Sequence, residues 1–260
     1  VFPWTSEAGD LSISGSGTTT SGSAAPRSLA ALRRRSYLAL AVVLVALAGC
    51  RAPARAPEPV AVAFAAISAD AFLSAAARTL PAGSEVLSLR WRFTEAGSSV
   101  SGRGAARVTP PDSLRLDVRG PLGFGRGALV LAGDSVWANP EDLVRQVLPG
   151  RFMVWAMLGI VRTPDVVERF EVAAVESRRL MRVVEPGGRS TTFELRGDTV
   201  VGAVQARGDT VVGKLTLALG ADGRVRHAEA EDLERHARLV FDIVGRTPSG
   251  GFPAQIWRRP

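Results

Sequence analysis

Apolar and polar residues alternate along most of the chain, and the places where alternation fails mark its helices. Leu87, Leu89, Trp91 and Phe93 alternate with Ser88, Arg90 and Arg92, which predicts a strand with one apolar face. Leu114, Leu116 and Val118 alternate with Arg115, Asp117 and Arg119 in the same way. Between them, Val100 to Val108 reads as a strand of small residues and glycines. Gly97-Ser98-Ser99 and Pro110-Pro111-Asp112 are its bounding turns. Gly120 to Gly125 breaks the alternation, which resumes at Ala128 to Leu131 and again at Ser135 to Ala138. Short strands joined by short turns predict an antiparallel meander. A second run follows: Leu180 to Val184, Thr191 to Leu195, Val200 to Gln205, Val211 to Leu219, Arg224 to Ala230 and Ala237 to Val244. RGDTVVG at Arg196 to Gly202 recurs at Arg207 to Gly213, as two successive hairpins with Gly-Asp turns would require. Phe252 to Trp257 is expected to be a last short strand.

Three stretches follow helical spacing instead. Residues 66–80 carry Phe72, Leu73, Ala76 and Leu80 on one side, with Ser68 or Asp70 as cap. Asn139-Pro140-Glu141-Asp142 starts a short helix, with a capping residue, proline at the first position and acids in the first turn. Phe152 to Ile160 is apolar nearly all round, unlike a surface helix. It is either a core helix or a helix under which a greasy ligand slides, since methionine adapts to variable shapes.

Upstream of all this stands Arg33 to Cys50, RRRSYLALAVVLVALAGC. A basic region, an apolar region and small residues before a cleavage point make a secretory signal. The apolar run is too short to span a bilayer. Cys50 is the only cysteine, so no internal disulfide is available to it. Leu47-Ala48-Gly49-Cys50 resembles the lipobox of bacterial lipoproteins. That resemblance implies cleavage before Cys50, a diacylglyceryl group on its sulfur and a further acyl chain on its new amino group. Residues 1–32 read as a disordered or mis-started extension, 33–49 as the lipoprotein signal peptide, 50–64 as an acylated, proline-rich tether, and 65–260 as the domain. Arg34-Arg35-Ser36-Tyr37-Leu38 also looks like a twin-arginine export signal, but the basic flank of a general secretory signal explains it better, since no cofactor motif calls for export of a folded protein.

Charge alters this picture little. The chain has 32 basic and 25 acidic residues; residues 1–49 hold four and two of these, leaving 28 against 23, or +5. Lys214 is the single lysine. No basic run with interleaved aromatics appears, so nucleic acid is not an expected partner. Weak attraction to anionic headgroups is the most that this charge supports.

Candidate chemistry is sparse. His227 and His236 lie in expected strands, without paired-histidine or CxxC spacing, so no metal and no cofactor is expected. No GxSxG elbow occurs. Glu229 and Glu231 share a strand face and read as a solvated charge pattern rather than an acid/base pair. The expectation is a protein that is not an enzyme.

Three segments resemble the LolA/LolB-like family. LRLDVRGPLGFGRGALV, Leu114 to Val130, is similar to the LolB segment where a strand runs into a Pro-Leu-Gly loop. Phe252-Pro253-Ala254-Gln255-Ile256 is similar to a Phe-Pro-x-x-Ile strand near the end of LolB-like domains, and Met157-Leu158-Gly159-Ile160 to the Leu-Gly turn closing the central helices. The resemblance implies an α+β fold: a strongly curved antiparallel sheet forming an incomplete β-barrel, with helices covering its open side. It also implies a hydrophobic membrane-insertion loop at Leu122, with Phe124. On that frame, Trp91, Phe93, Phe152, Met153, Trp155 and Met157 are the expected apolar ligand-binding residues. The expected protein is a monomeric, lipid-anchored lipoprotein on the periplasmic face of the outer membrane. It would bind the acyl chains of lipoprotein or lipid cargo and help localise them. The alternative is an envelope-assembly lipoprotein that grips a protein partner with the same fold. An open apolar interior would favour the first, a filled one the second.

Overall fold

The alternating segments pair into one sheet of thirteen strands. In chain order these are β1 (Ala65–Ile67), β2 (Glu85–Glu95), β3 (Ser98–Thr109), β4 (Ser113–Arg119), β5 (Arg126–Ala132), β6 (Ser135–Asn139), β7 (Arg169–Val175), β8 (Arg178–Val184), β9 (Arg189–Arg196), β10 (Thr199–Arg207), β11 (Thr210–Leu219), β12 (Val225–Asp232) and β13 (Ala237–Pro248). Two helices, α1 (Ala69–Ala77) and α2 (Arg151–Met157), and a 3-10 turn at Ala254–Trp257 complete the described elements. The computed structural model describes residues 62–121, 125–133, 135–140 and 151–258. Cys50 with its expected leader and tether, Leu122, Phe124 and the expected helix after Asn139-Pro140 lie outside the described residues. The described elements belong to one compact unit, Ala61–Pro260.

Every strand pairing is antiparallel, in the order β1-β7-β8-β9-β10-β11-β12-β13-β2-β3-β4-β5-β6. The second meander therefore joins the first through β13 and β2, where Phe241 faces Trp91 and Leu239 faces Phe93. β1 and β6 are the two edges and do not pair with each other, so the sheet is not closed. Laid flat, thirteen strands at ~4.8 Å spacing would span roughly 58 Å. Yet Leu114, Leu116 and Leu129 from β4 and β5 share one buried cluster with Met181, Val183, Phe193 and Leu195 from β8 and β9. The sheet must curl for both halves to reach a common core. Ala96 and Gly97, both at positive φ, make the tight β2–β3 hairpin turn that right-twisted strands prefer.

Four expectations are corrected. The first helix starts later: Ala66 and Ile67 pair with Glu171 and Phe170 as an edge strand. Ser68 then caps α1 by accepting from the Ala71 amide at 3.2 Å. Leu73 is exposed and Ala75 takes the buried place, because α1 turns Phe72 toward Phe170, with ring centroids 4.6 Å apart. β7 is a strand that the alternation did not announce. Its core side chain Phe170 and the following Val172 are interleaved with the buried Glu171 and Ala173, and Ala174 follows, so polar–apolar contrast is weak. Phe252 to Trp257 is not a strand: β4 and β5 are each already paired on both sides, so no edge is free there. The segment instead lies as a 3-10 turn on the face opposite the core, where Arg115 Nη1 donates to the Ile256 carbonyl at 2.9 Å. His236, expected in a strand, occupies the β12–β13 turn at φ 53°.

Candidate functional site

Trp91 and Phe93 sit two residues apart on the core face of β2, half-buried and packed on the cluster. Trp91 is held in two ways. Its Nε1 donates to the Arg103 carbonyl at 3.2 Å, and its ring covers Gly102. A Cβ at Gly102 would fall 2.9 Å from Trp91 Cε2 and 1.9 Å from the Arg119 carbonyl oxygen, so only glycine lets these strands and this ring approach.

α2 carries the other four expected residues. Met153, Trp155 and Met157 are 1%, 4% and 0% exposed, while Phe152 is half-buried. The helix packs against β10, β11 and β12. It ends at Gly159, whose φ of +84° makes the left-handed cap, with its amide donating to the Ala156 carbonyl at 2.8 Å. Val161 N then donates to Thr79 Oγ1 at 2.9 Å, and Thr79 Oγ1 donates to the Ala76 carbonyl at 2.7 Å. One hydroxyl thus ties the exit of α2 to the end of α1.

A cavity of about 160 Å³ opens beside α2. Phe152 and Trp155 form one wall, and Leu131 and Val136, cross-strand partners on β5 and β6, form another. Arg162 lies 5.7 Å from the Trp155 ring centroid and donates to the Pro111 carbonyl at 3.2 Å, closing one side with a cation over an aromatic face. Of the six expected residues, the fold brings only Phe152 and Trp155 to this opening. Met153 and Met157 are buried in the core, and neither they nor Trp91 and Phe93 are among the cavity's lining. The sequence reading missed Leu131, Val136 and Arg162. The first two follow strand alternation like any core residue, and only the β5–β6 register sets them opposite α2. Gly133, Thr163, Pro164 and Asp165 complete its lining, so one side of the cavity is apolar and the other polar.

Other groups the sequence offered are occupied. His227 Nδ1 and Asp242 Oδ1 are 2.7 Å apart, and Glu229 is bonded by Arg238. Among the described residues no group of three or more His, Cys, Asp or Glu side chains is placed to hold a metal ion. No described helix is long and apolar enough to cross a membrane.

No family model and no curated protein matches this chain. Among solved structures it is similar to the LolA superfamily protein NE2245 from Nitrosomonas europaea, with TM-score 0.48 and 10% identity over 75% of this chain and 99% of that one. It is also similar to a putative outer membrane lipoprotein-sorting protein domain from Vibrio parahaemolyticus, with TM-score 0.49 and 11% identity over 71% and 93%. A DUF1329 family protein from Desulfovibrio piger gives TM-score 0.44 and 10% identity over 73% and 96%.

Proposed function

We propose that this chain is a non-enzymatic lipoprotein of the bacterial envelope, anchored through acylated Cys50, that receives the end of an acyl chain of lipoprotein or lipid cargo beside α2. The observation that carries this reading is the cavity beside α2, whose apolar wall is Phe152, Trp155, Leu131 and Val136 and whose polar side is Arg162, Thr163 and Asp165. Two adaptable methionines, Met153 and Met157, are buried on the same helix. The lipobox-like ending at Cys50 and the LolB-like segments around Pro121-Leu122-Gly123 support the envelope setting and a role in localising lipoproteins or lipids to the outer membrane. On this reading, α1 and α2 cover the open side of the sheet, and entry of a chain pushes α2 outward.

The test is titration of the unit Ala61–Pro260 with a fluorescent fatty acid, repeated with Trp155→Ala and Val136→Asp. The expected result is saturable binding weakened about tenfold or more by Val136→Asp, which puts a charge where the chain would lie. Absence of saturable binding, with no lipid carried through purification, would reject the acyl site.

A second reading keeps the envelope setting and replaces the cargo by a protein partner. The full burial of Met153 and Met157 favours it, because a filled interior leaves the fold only its surfaces for binding. Failure of lipid binding in the titration, with membrane attachment intact, would select this second reading.

A further inference from the structure

Four arginines that are scattered in sequence meet on one rung of the sheet. Arg90 on β2 faces Arg103 on β3, Arg103 faces Arg119 on β4, and Arg119 faces Arg126 on β5. All four are exposed, on the face opposite the core. Neighbouring strands lie ~4.8 Å apart, so the rung runs roughly 14 Å. Like charges directly opposite each other across antiparallel strands repel.

Among the described residues, none of the four is held in an ion pair. The nearest acid on β4, Asp117, is taken by Arg107 and by Arg115, whose Nε lies 3.0 Å from Oδ1. At the far end of the rung, Asp242 faces Arg90 across β13 but is bonded to His227. No carboxylate among the described residues meets the guanidinium of Arg90, Arg103, Arg119 or Arg126. Beside the rung, Ala105 and Ala128 leave a depression of about 710 Å³. Arg107 and Arg115, both paired with Asp117, form its second bank, and Ile256 of the C-terminal turn stands at one wall. Guanidinium groups bind phosphate through paired hydrogen bonds, and an exposed row of them is a phosphate-recognising surface.

We propose that the outer face of β2–β5 rests on an anionic bilayer, with the Arg90–Arg103–Arg119–Arg126 rung bound to lipid phosphates. The flanks of the face suit a bilayer better than an acidic protein segment. Trp137 extends the outer face on β6, opposite Val130, and Trp257 sits edge-on to Phe252 in the turn that lies over β4 and β5. Both indoles are half-buried, and tryptophan beside arginine is the composition that settles at headgroup level. Headgroups diffuse laterally, so a fluid surface can match the strand spacing without a pre-shaped partner. The inference rests on the envelope reading above and deepens it: an acylated Cys50 would hold the domain within the ~50 Å that the chain from Cys50 to Ala65 can reach at most.

The experiment sediments the unit Ala61–Pro260, which lacks Cys50, with phosphatidylcholine vesicles with and without phosphatidylglycerol. Because the anchor is absent, the outcome is independent of whether Cys50 is acylated. Expected are binding to the anionic vesicles only and release in 1 M salt, where the Debye length falls to about 3 Å. The quadruple Arg→Gln variant at 90, 103, 119 and 126 should bind ~100-fold or more weakly. The quadruple Arg→Lys variant keeps the charge and should retain most of the affinity, which holds the test if the glutamine variant melts early. Equal binding to neutral vesicles, binding unaffected by salt, no vesicle binding at all, or undiminished binding by a folded glutamine variant would each overturn the proposal. The absence of vesicle binding would leave an acidic protein as the occupant of this face.

Discussion

Glu85, on β2, and Arg246, on β13, form an ion pair at 3.0 Å with side chains 10% and 12% exposed. Arg224 completes the carboxylate's partners, also at 3.0 Å, and Arg246 Nη2 donates to the Val225 carbonyl at 2.9 Å. Burial pushes the Arg246 guanidinium pKa down from its ordinary value, while Glu85 opposes that shift. Arg246 Nε is buried without a partner. The arginine therefore depends on this carboxylate, and Glu85→Ala should destabilise the protein by about 3 kcal/mol, since it leaves a charge uncompensated in the interior. Chemical denaturation of the two proteins checks this. A loss below about 1 kcal/mol would mean that water reaches Arg246.

Glu171 supplies a pH signature. Burial raises its pKa, but hydrogen bonds from Arg169 and Arg182 outweigh burial and hold it below its ordinary value of 4.5. A carboxylate depressed in the folded state contributes stability above its unfolded pKa and loses it as pH falls through the folded one. Wild type should thus exceed Glu171→Gln in melting temperature near neutrality, and the gap should shrink below pH ~4.5. A gap constant from neutral to strongly acidic pH would remove Glu171 as its source.

Gly159 tests the exit of α2. Its φ is +84°, and an added Cβ would lie 2.9 Å from Val225 Cγ2. Gly159→Ala should cost more than ~1 kcal/mol, from left-handed backbone and contact together. Thermal melts of the pair decide it, and an unchanged melting temperature would show that α2 can end in another conformation.

Met157→Ala should lose ~2–5 kcal/mol, because it empties volume at the centre of the core. If an acyl chain occupies the space beside α2, the variant should also gain affinity for a longer chain. Fatty acids of increasing length, titrated against both proteins, would show a shift in preferred length. Identical length profiles would place the bound chain away from Met157.

Cys50→Ser should leave uncleaved precursor and abolish labelling by palmitate, since the thiol is the proposed acylation point. Membrane fractionation with labelled palmitate measures both. Equal labelling of the two proteins would dispose of the lipobox.

Much of this architecture is legible along the chain. Period-two alternation is a local property, so β2, β4 and the hairpins around Gly197 and Gly208 are apparent from residues a few positions apart. The apolar girdle of residues 152–160 is local too, and it marks a helix unlike a surface one, while only the packing on β10, β11 and β12 puts α2 in the core. Where a strand's contrast is weak, as in β7 with Glu171, Ala173 and Ala174, alternation carries no signal and pairing with β1 and β8 decides. The C-terminal segment shows the converse: Phe252 to Trp257 has strand-like residues, but a strand needs a free edge, and β4 and β5 have none.

The functional surfaces divide in the same way. The proposed leader ending at Cys50 is read from a contiguous stretch, in order and without reference to a fold. Which side of α2 faces an opening depends on the β5–β6 register, so Phe152 and Trp155 could be named from sequence while Leu131, Val136 and Arg162 could not. The arginine rung lies furthest from sequence. Arg90, Arg103, Arg119 and Arg126 are 7 to 16 positions apart from one to the next, each an ordinary polar residue on an alternating strand. Net charge and charge runs do not reveal them. Only antiparallel pairing, which converts separations along the chain into a common rung one strand apart, brings four like charges together on one face.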